Sequence, residues 1–119
     1  MTSTGVVLGT PAYMPPEQAQ GKAADFRSDI YSLGAMLYEF LCLVPPYEGT
    51  TVPEVLRQAR KSKIQPPSAR TPDREIPKAL EETAMRALSG DPEARHPTAA
   101  AFAEDLQAWL DGSRERELR

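Results

Sequence analysis

Arg27-Ser28-Asp29-Ile30-Tyr31-Ser32-Leu33-Gly34 opens the most apolar stretch of this 119-residue chain, and its reading decides the fold. From Ile30 onward, Leu33, Met36, Leu37, Phe40 and Leu41 recur at helical spacings of three and four. Ser28 or Asp29 stands where a side chain would cap that helix, and Pro45-Pro46 ends it. Tyr31, Ala35, Tyr38, Cys42 and Leu43 fill the intervening positions, and Glu39 is the only charge within Ile30–Val44. A helix apolar nearly all round is normally buried on most sides.

Downstream, Tyr47 to Thr51 forms a turn around Gly49, and Pro53 starts a second helix over Glu54 to Lys63. Its inner face is Val55, Leu56 and Ala59. Arg57, Arg60, Lys61 and Lys63 suit its solvated face better than a phosphate site. Gln65 to Pro77, with Pro66, Pro67, Pro72 and Pro77, reads as irregular. A third helix spans about Lys78 to Ser89, with Leu80, Ala84, Ala87 and Leu88 inward and Gly90 as its stop. Thr98 caps a fourth helix from Ala99 to about Asp111, with Phe102, Leu106, Trp109 and Leu110 on one side. Gly112 is expected to end it, leaving Ser113 to Arg119 as a frayed charged tail. Upstream, residues 21–28 are polar loop. Pro16 begins a short helix through Glu17, Gln18 and Ala19 that closes at Gly21, and residues 1–12 are loop. No repeat and no strand is apparent, so the fold class is all-α.

Composition narrows the function. A formal net charge of −3 gives no basic footprint for nucleic acid or an anionic membrane. Cys42 is the single cysteine, which leaves no internal disulfide and no Cys-based zinc site; between Leu41 and Leu43 it reads as a small buried apolar group. His96 is the single histidine, which excludes a His-rich metal site or a His–His relay. No apolar run reaches the roughly 18 residues that span a bilayer. Met1 to Gly9 has neither the basic region nor the apolar core of a signal peptide, so a cytoplasmic location is expected.

Three separated stretches then converge. Gly9-Thr10-Pro11-Ala12-Tyr13-Met14-Pro15-Pro16-Glu17-Gln18 resembles the end of the protein-kinase activation segment, usually Gly-Thr-x-x-Tyr-x-Ala-Pro-Glu. Arg27 to Gly34 resembles the start of the kinase's central buried helix. Asp91-Pro92-Glu93-Ala94-Arg95-His96-Pro97-Thr98 resembles the family's last conserved loop. The order is right, helices lie between the motifs as expected, and the likeness covers nearly the whole chain. Its wording is similar to bacterial serine/threonine kinases of eukaryotic type. Pro15 departs from the usual alanine. The resemblance implies the helical C-terminal lobe of the kinase fold, with a partial kinase domain over 1–111 and a charged tail over 112–119.

Other parts of a kinase do not occur. The sequence has no Gly-x-Gly-x-x-Gly loop, no His-Arg-Asp and no Asp-Phe-Gly; Asp25-Phe26-Arg27 only mimics the start of the last. In a complete kinase these would lie upstream of Met1, so the chain is expected to begin inside the activation loop and to carry no catalytic, cofactor-binding or metal-ligating residue.

The resemblance assigns roles by position. Gly9, Thr10, Pro11, Ala12 and Tyr13 would form the substrate-binding loop, where the residues alone suggest only a turn. Thr2 and Thr4 stand where activating phosphothreonines occur, with Ser3 a weaker candidate. Glu17 and Arg95 would form a buried salt bridge; otherwise they are two surface charges. Asp29 would orient the catalytic loop from a helix start, or is simply a cap.

The implied function is part of a serine/threonine protein kinase that transfers the ATP γ-phosphate to protein serine or threonine. ATP and magnesium would be needed only by the complete enzyme, so the isolated chain is expected to be inactive. Its partners would be protein substrates and the upstream part of the kinase domain, with no nucleic acid and no membrane segment. The alternatives are a stand-alone protein-binding lobe without catalysis, or a non-functional truncated gene product.

Overall fold

The computed structural model describes residues 14–47, 51, 53, 54, 57 and 64–118, with side chains described as far as Gly112. Five helices are bounded within these residues: α1 Pro16–Ala19, α2 Phe26–Cys42, α3 Pro67–Arg70, α4 Lys78–Ala87 and α5 Ala99–Leu118. A 3-10 turn, Pro92–Ala94, joins α4 to α5. No strand occurs among the described residues. The fold is all-α, as expected. The helix expected over Glu54 to Lys63 lies mostly outside the described residues, of which Pro53, Glu54 and Arg57 are helical.

α2 is the axis of the structure. Its Tyr31, Ala35, Tyr38 and Cys42 form one buried cluster with Ala19, Tyr47 and Leu88. Ile30 meets Ala87 of α4 and Phe102 of α5, with Leu33, Leu37 and Leu106 against them. Leu41 packs with Leu80 and Ala84, and Trp109 lies beside them. Cys42 is buried, as its apolar neighbours suggested.

One side of α2 is bare. Met36, Phe40 and Leu43 are 55%, 78% and 67% exposed. The expectation of burial on most sides therefore holds for the faces toward α4 and α5 but not for this stripe.

Two boundaries differ from those expected. α2 starts at Phe26, inside the presumed loop, and its cap is Asp25 rather than Ser28 or Asp29. The Asp25 carboxylate accepts from the Arg27 N–H at 2.8 Å, and the Ser28 hydroxyl accepts from the Asp25 N–H at 3.2 Å. Phe26 stands one turn before Ile30, but the polar run Arg27-Ser28-Asp29 separates it from the dense apolar stretch, so the helix reads as starting four residues late. α5 runs through Gly112 to Leu118, so the glycine does not stop it. Glycine in a helix interior costs only about 1 kcal/mol relative to alanine, which flanking helix formers can offset. Thr98 does cap α5, accepting from the Ala101 N–H at 3.0 Å. Leu110, on the apolar side of α5 with Phe102, Leu106 and Trp109, is exposed.

The proline-rich stretch contains a helix where an irregular segment is expected. Pro66 and Pro67 supply the fixed φ of a first turn, which becomes α3. It has no cap of its own. Glu81 of α4 accepts from the Ser68 N–H at 2.7 Å instead. The C-terminal end of α2 is held similarly from outside. Arg74 Nε donates to the Leu41 carbonyl at 3.1 Å, and Arg70 Nη1 donates to the Pro45 carbonyl at 2.7 Å. α2 has no basic residue in its last turn, so these two arginines supply the positive charge its carbonyl end favours.

Gly34 sets how closely α2 and α4 approach. A Cβ there would fall 2.6 Å from the Ala87 Cβ and 3.3 Å from the Ala84 carbonyl oxygen. Gly34→Ala should therefore push the two helices apart and destabilise the chain by about 1–3 kcal/mol, the usual cost of overpacking. Urea unfolding is the measurement; a change below about 0.5 kcal/mol would show that the helices can part freely.

Candidate functional site

The structure brings Glu17 and Arg95 together. Arg95 Nη1 donates to Glu17 Oε2 at 2.8 Å, and Nη2 donates to Oε1 at 2.9 Å, a two-pronged grip. The Arg95 side chain is 0% exposed and that of Glu17 12%. Local structure places both. Pro15-Pro16 starts α1 and puts Glu17 in its first turn. Gly21, at φ 82°, turns the chain so that the Lys22 N–H reaches back to the Glu17 carbonyl at 2.7 Å. Arg95 follows the 3-10 turn, whose start is capped by the Asp91 side chain accepting from the Glu93 N–H at 3.0 Å.

Arg95 does more than hold a carboxylate. Its Nε donates to the Ser89 carbonyl at 2.8 Å, and Nη1 also donates to the Arg27 carbonyl at 2.9 Å. Its guanidinium carbon lies 5.0 Å from the Tyr31 ring centre, a cation–π distance. The Tyr31 hydroxyl in turn donates to the Tyr47 hydroxyl at 2.6 Å. Burial, and then the neighbouring Tyr47, hold the Tyr31 hydroxyl far above the ordinary phenol value, so it stays protonated. Glu17 Oε2 also accepts from the Ser28 hydroxyl at 2.8 Å. Ser28 thus belongs to the α2 capping box and to the ion pair at once.

The Glu17 carboxyl is held below its usual value of 4.5. Burial acts to raise it, but the hydrogen bonds from Arg95, the backbone and Ser28, with the Arg95 charge, together outweigh burial.

The other expected site residues fall differently. Asp29 is exposed in the first turn of α2, with no ion pair among the described residues. It stands seven residues before Met36 and eleven before Phe40, close to two and three helical turns, so it heads the bare apolar stripe. Gly9, Thr10, Pro11, Ala12 and Tyr13, and Thr2 and Thr4, lie outside the described residues. Among the described residues no group of three or more His, Cys, Asp or Glu is placed to hold a metal ion, and no helix is long and apolar enough to cross a membrane.

Sequence reasoning did not find His96 and Asp105. His96 is buried, its Nε2 lies 2.8 Å from Asp105 Oδ2, and its ring meets Phe102 edge-on. The carboxylate can only accept, so Nε2 carries the hydrogen. The pair ties the loop after the 3-10 turn to α5. Nothing in the nine-residue spacing signals it. The carbonyl partners of Arg95 were equally hidden, since every residue has a carbonyl.

If this junction holds the fold, Glu17→Ala and Arg95→Ala should each cost about 3–5 kcal/mol, because each strands a buried partner. The double variant should be less damaged than the sum, by about 0.5–3 kcal/mol. Small additive effects in urea unfolding would mean that the junction is incidental.

The pH dependence has a definite sign. Because the folded-state value of Glu17 is depressed, its contribution is complete above its ordinary, unfolded value of 4.5 and is lost as pH falls through the folded one. The stability gap between the parent chain and Glu17→Gln should therefore be constant near neutrality and shrink on acidification below the ordinary glutamate range. A gap that grew on acidification would contradict the depressed value.

Comparison with known proteins supplies the context. The family model of the protein kinase domain matches residues 2–106. The chain is similar to the tyrosine-protein kinase MasK of Myxococcus xanthus, 43% identical over 109 residues, covering 92% of this chain and 17% of that protein. It is similar to the serine/threonine-protein kinase pkn3 of Myxococcus xanthus, 40% identical over 116 residues, covering 98% of this chain and 21% of that protein. The serine/threonine-protein kinase PknB of Mycolicibacterium smegmatis is 41% identical over 106 residues, covering 89% of this chain and 17% of that protein. The chain therefore spans about a fifth or less of the length of these curated relatives. With its helical fold and the Glu17–Arg95 junction between two of the quoted motifs, the chain belongs to the protein kinase domain family and corresponds to the helical C-terminal lobe of that fold.

Proposed function

We propose that this chain is the protein-substrate side of a bacterial serine/threonine protein kinase. The complete enzyme would transfer the ATP γ-phosphate to serine or threonine hydroxyls of other proteins. The observation that carries the reading is the match of the kinase family over residues 2–106, with Arg95 gripping the glutamate of the activation-segment motif. In this reading Gly9 to Tyr13 shape the substrate loop, Thr2 and Thr4 receive regulatory phosphates, and residues 112–119 lie beyond the domain.

Nucleotide and magnesium chemistry is assigned to another part of the kinase. The residues here do not fit that group: the sequence has no Gly-rich phosphate loop, His-Arg-Asp or Asp-Phe-Gly, and the described residues hold no candidate metal cluster. The bare stripe of α2 supports an upstream partner. Met36, Phe40 and Leu43 are exposed in line with the carboxylate of Asp29, which has no ion pair among the described residues, a polar acceptor above an apolar surface. The upstream part of the kinase domain would cover that face and give Asp29 its donors.

The test is a chimera in which this chain replaces the matching segment of pkn3, compared with the 119-residue chain alone. The folded chimera should phosphorylate a protein substrate on serine or threonine, and Thr10→Ala should reduce its activity by at least tenfold, about 1.4 kcal/mol. The chain alone should bind no Mg-ATP by calorimetry. A folded but inert chimera, or micromolar Mg-ATP binding by the chain alone, would overturn the reading.

A further inference from the structure

Beside the Glu17–Arg95 junction, but outside it, a cleft of about 320 Å³ opens between the start of α2, the 3-10 turn and α4. Its walls include Phe26, Pro92 and Pro97, and its charged lining includes Arg27, Arg86 and Glu93. Arg95 reaches it too, but its guanidinium is occupied by Glu17 and the two carbonyls.

We propose that this cleft binds a phosphorylated segment of another protein, the phosphoryl group bridging Arg27 and Arg86 and the flanking residues lying against Phe26, Pro92 and Pro97.

Arg86 is exposed on α4 and has no acidic partner among the described residues. Arg27 is partly buried. Its guanidinium carbon lies 5.0 Å from the Phe26 ring centre, a cation–π distance. At rest it is met by Glu93 at 3.3 Å and more loosely by Asp25 at 3.9 Å. Glu93 is 74% exposed, and ion pairs this open are weak. Its carboxylate occupies the place of an incoming anion and can swing into water when one arrives. A carboxylate satisfies one guanidinium fork. A phosphoryl group carries nearly two charges and three acceptor oxygens, enough for two forks. Phe26, half exposed at the mouth, gives a peptide side chain an apolar surface that a free anion would not use. The choice of a phosphorylated protein over other phosphate esters rests on the proposed kinase function, whose products carry this group.

The test is a titration of the full 119-residue chain, followed by amide NMR shifts without ATP. The probes are a seven-residue alanine–proline peptide with a central phosphothreonine, its unphosphorylated form, and inorganic phosphate. The phosphopeptide should shift the amides of Phe26, Arg27 and Glu93, and the unphosphorylated peptide should not. Inorganic phosphate should bind more weakly. Arg86→Ala and Arg27→Ala should each weaken binding about tenfold. Glu93→Gln, which removes the internal competitor, should tighten it. Arg86 and Glu93 are exposed, so these variants leave the core intact. Absence of phosphorylation-dependent binding, indifference to Arg86→Ala, or weaker binding by Glu93→Gln would overturn the proposal. Inorganic phosphate binding as tightly as the phosphopeptide would overturn it as well, leaving a free-anion site. Because no ATP is present, these outcomes are independent of whether the pkn3 chimera is active.

Discussion

A guanidinium removed from water must find acceptors for its hydrogens and a counter-charge, or the fold that buries it is lost. Arg95 meets that demand with parts of the chain remote from one another: a carboxylate from α1, a carbonyl from the start of α2 and a carbonyl from the end of the α4 segment. These acceptors can be offered together only when the three segments are docked. Ser28 extends the constraint, since its hydroxyl serves the α2 cap and the Glu17 carboxylate together. The electrostatics of one side chain thereby set the start of α2, the placement of α1 and the path from α4 to α5.

Packing supplies the rest. Gly34 lets α2 and α4 come to backbone distance, and Ile30, Leu37 and Leu41 then reach across to α4 and α5. The chain satisfies these faces of α2 internally and leaves the stripe from Met36 to Leu43 bare. In the proposed function, that stripe is the side to which the rest of the kinase is added. The cleft at Arg27 and Arg86 lies among different residues, so a docked phosphoprotein and a covering upstream segment need not compete for the same side chains.

Much of this was legible in the residues. The apolar period gave α2, α4 and α5, Thr98 gave a cap, and the motif likeness brought Glu17 to Arg95. What stayed hidden has physical causes. The Asp25 cap was masked because the polar run Arg27-Ser28-Asp29 follows Phe26, so the dense apolar signal starts after the helix does. α3 lay within a run of prolines, residues that break helices in their interior but begin them well. Gly112 looked like a stop and is not one, because one glycine is a small cost. The backbone acceptors of Arg95, the outside capping of α3 by Glu81 and the His96–Asp105 pair depend on tertiary placement and have no local pattern.

Hydrogen exchange in Arg95→Lys tests the central claim most directly. Lysine keeps the charge but lacks the planar fork, so it cannot serve a carboxylate and two carbonyls in fixed directions. If Arg95 couples the three segments, the amides of Gln18 to Lys22, Ser28 and Asp29, and Leu88 and Ser89 should lose protection together. The amides of Arg70 and Thr71, bonded within α3, should not change. Loss confined to residues 92–96, with α1 and the start of α2 as protected as before, would contradict the account.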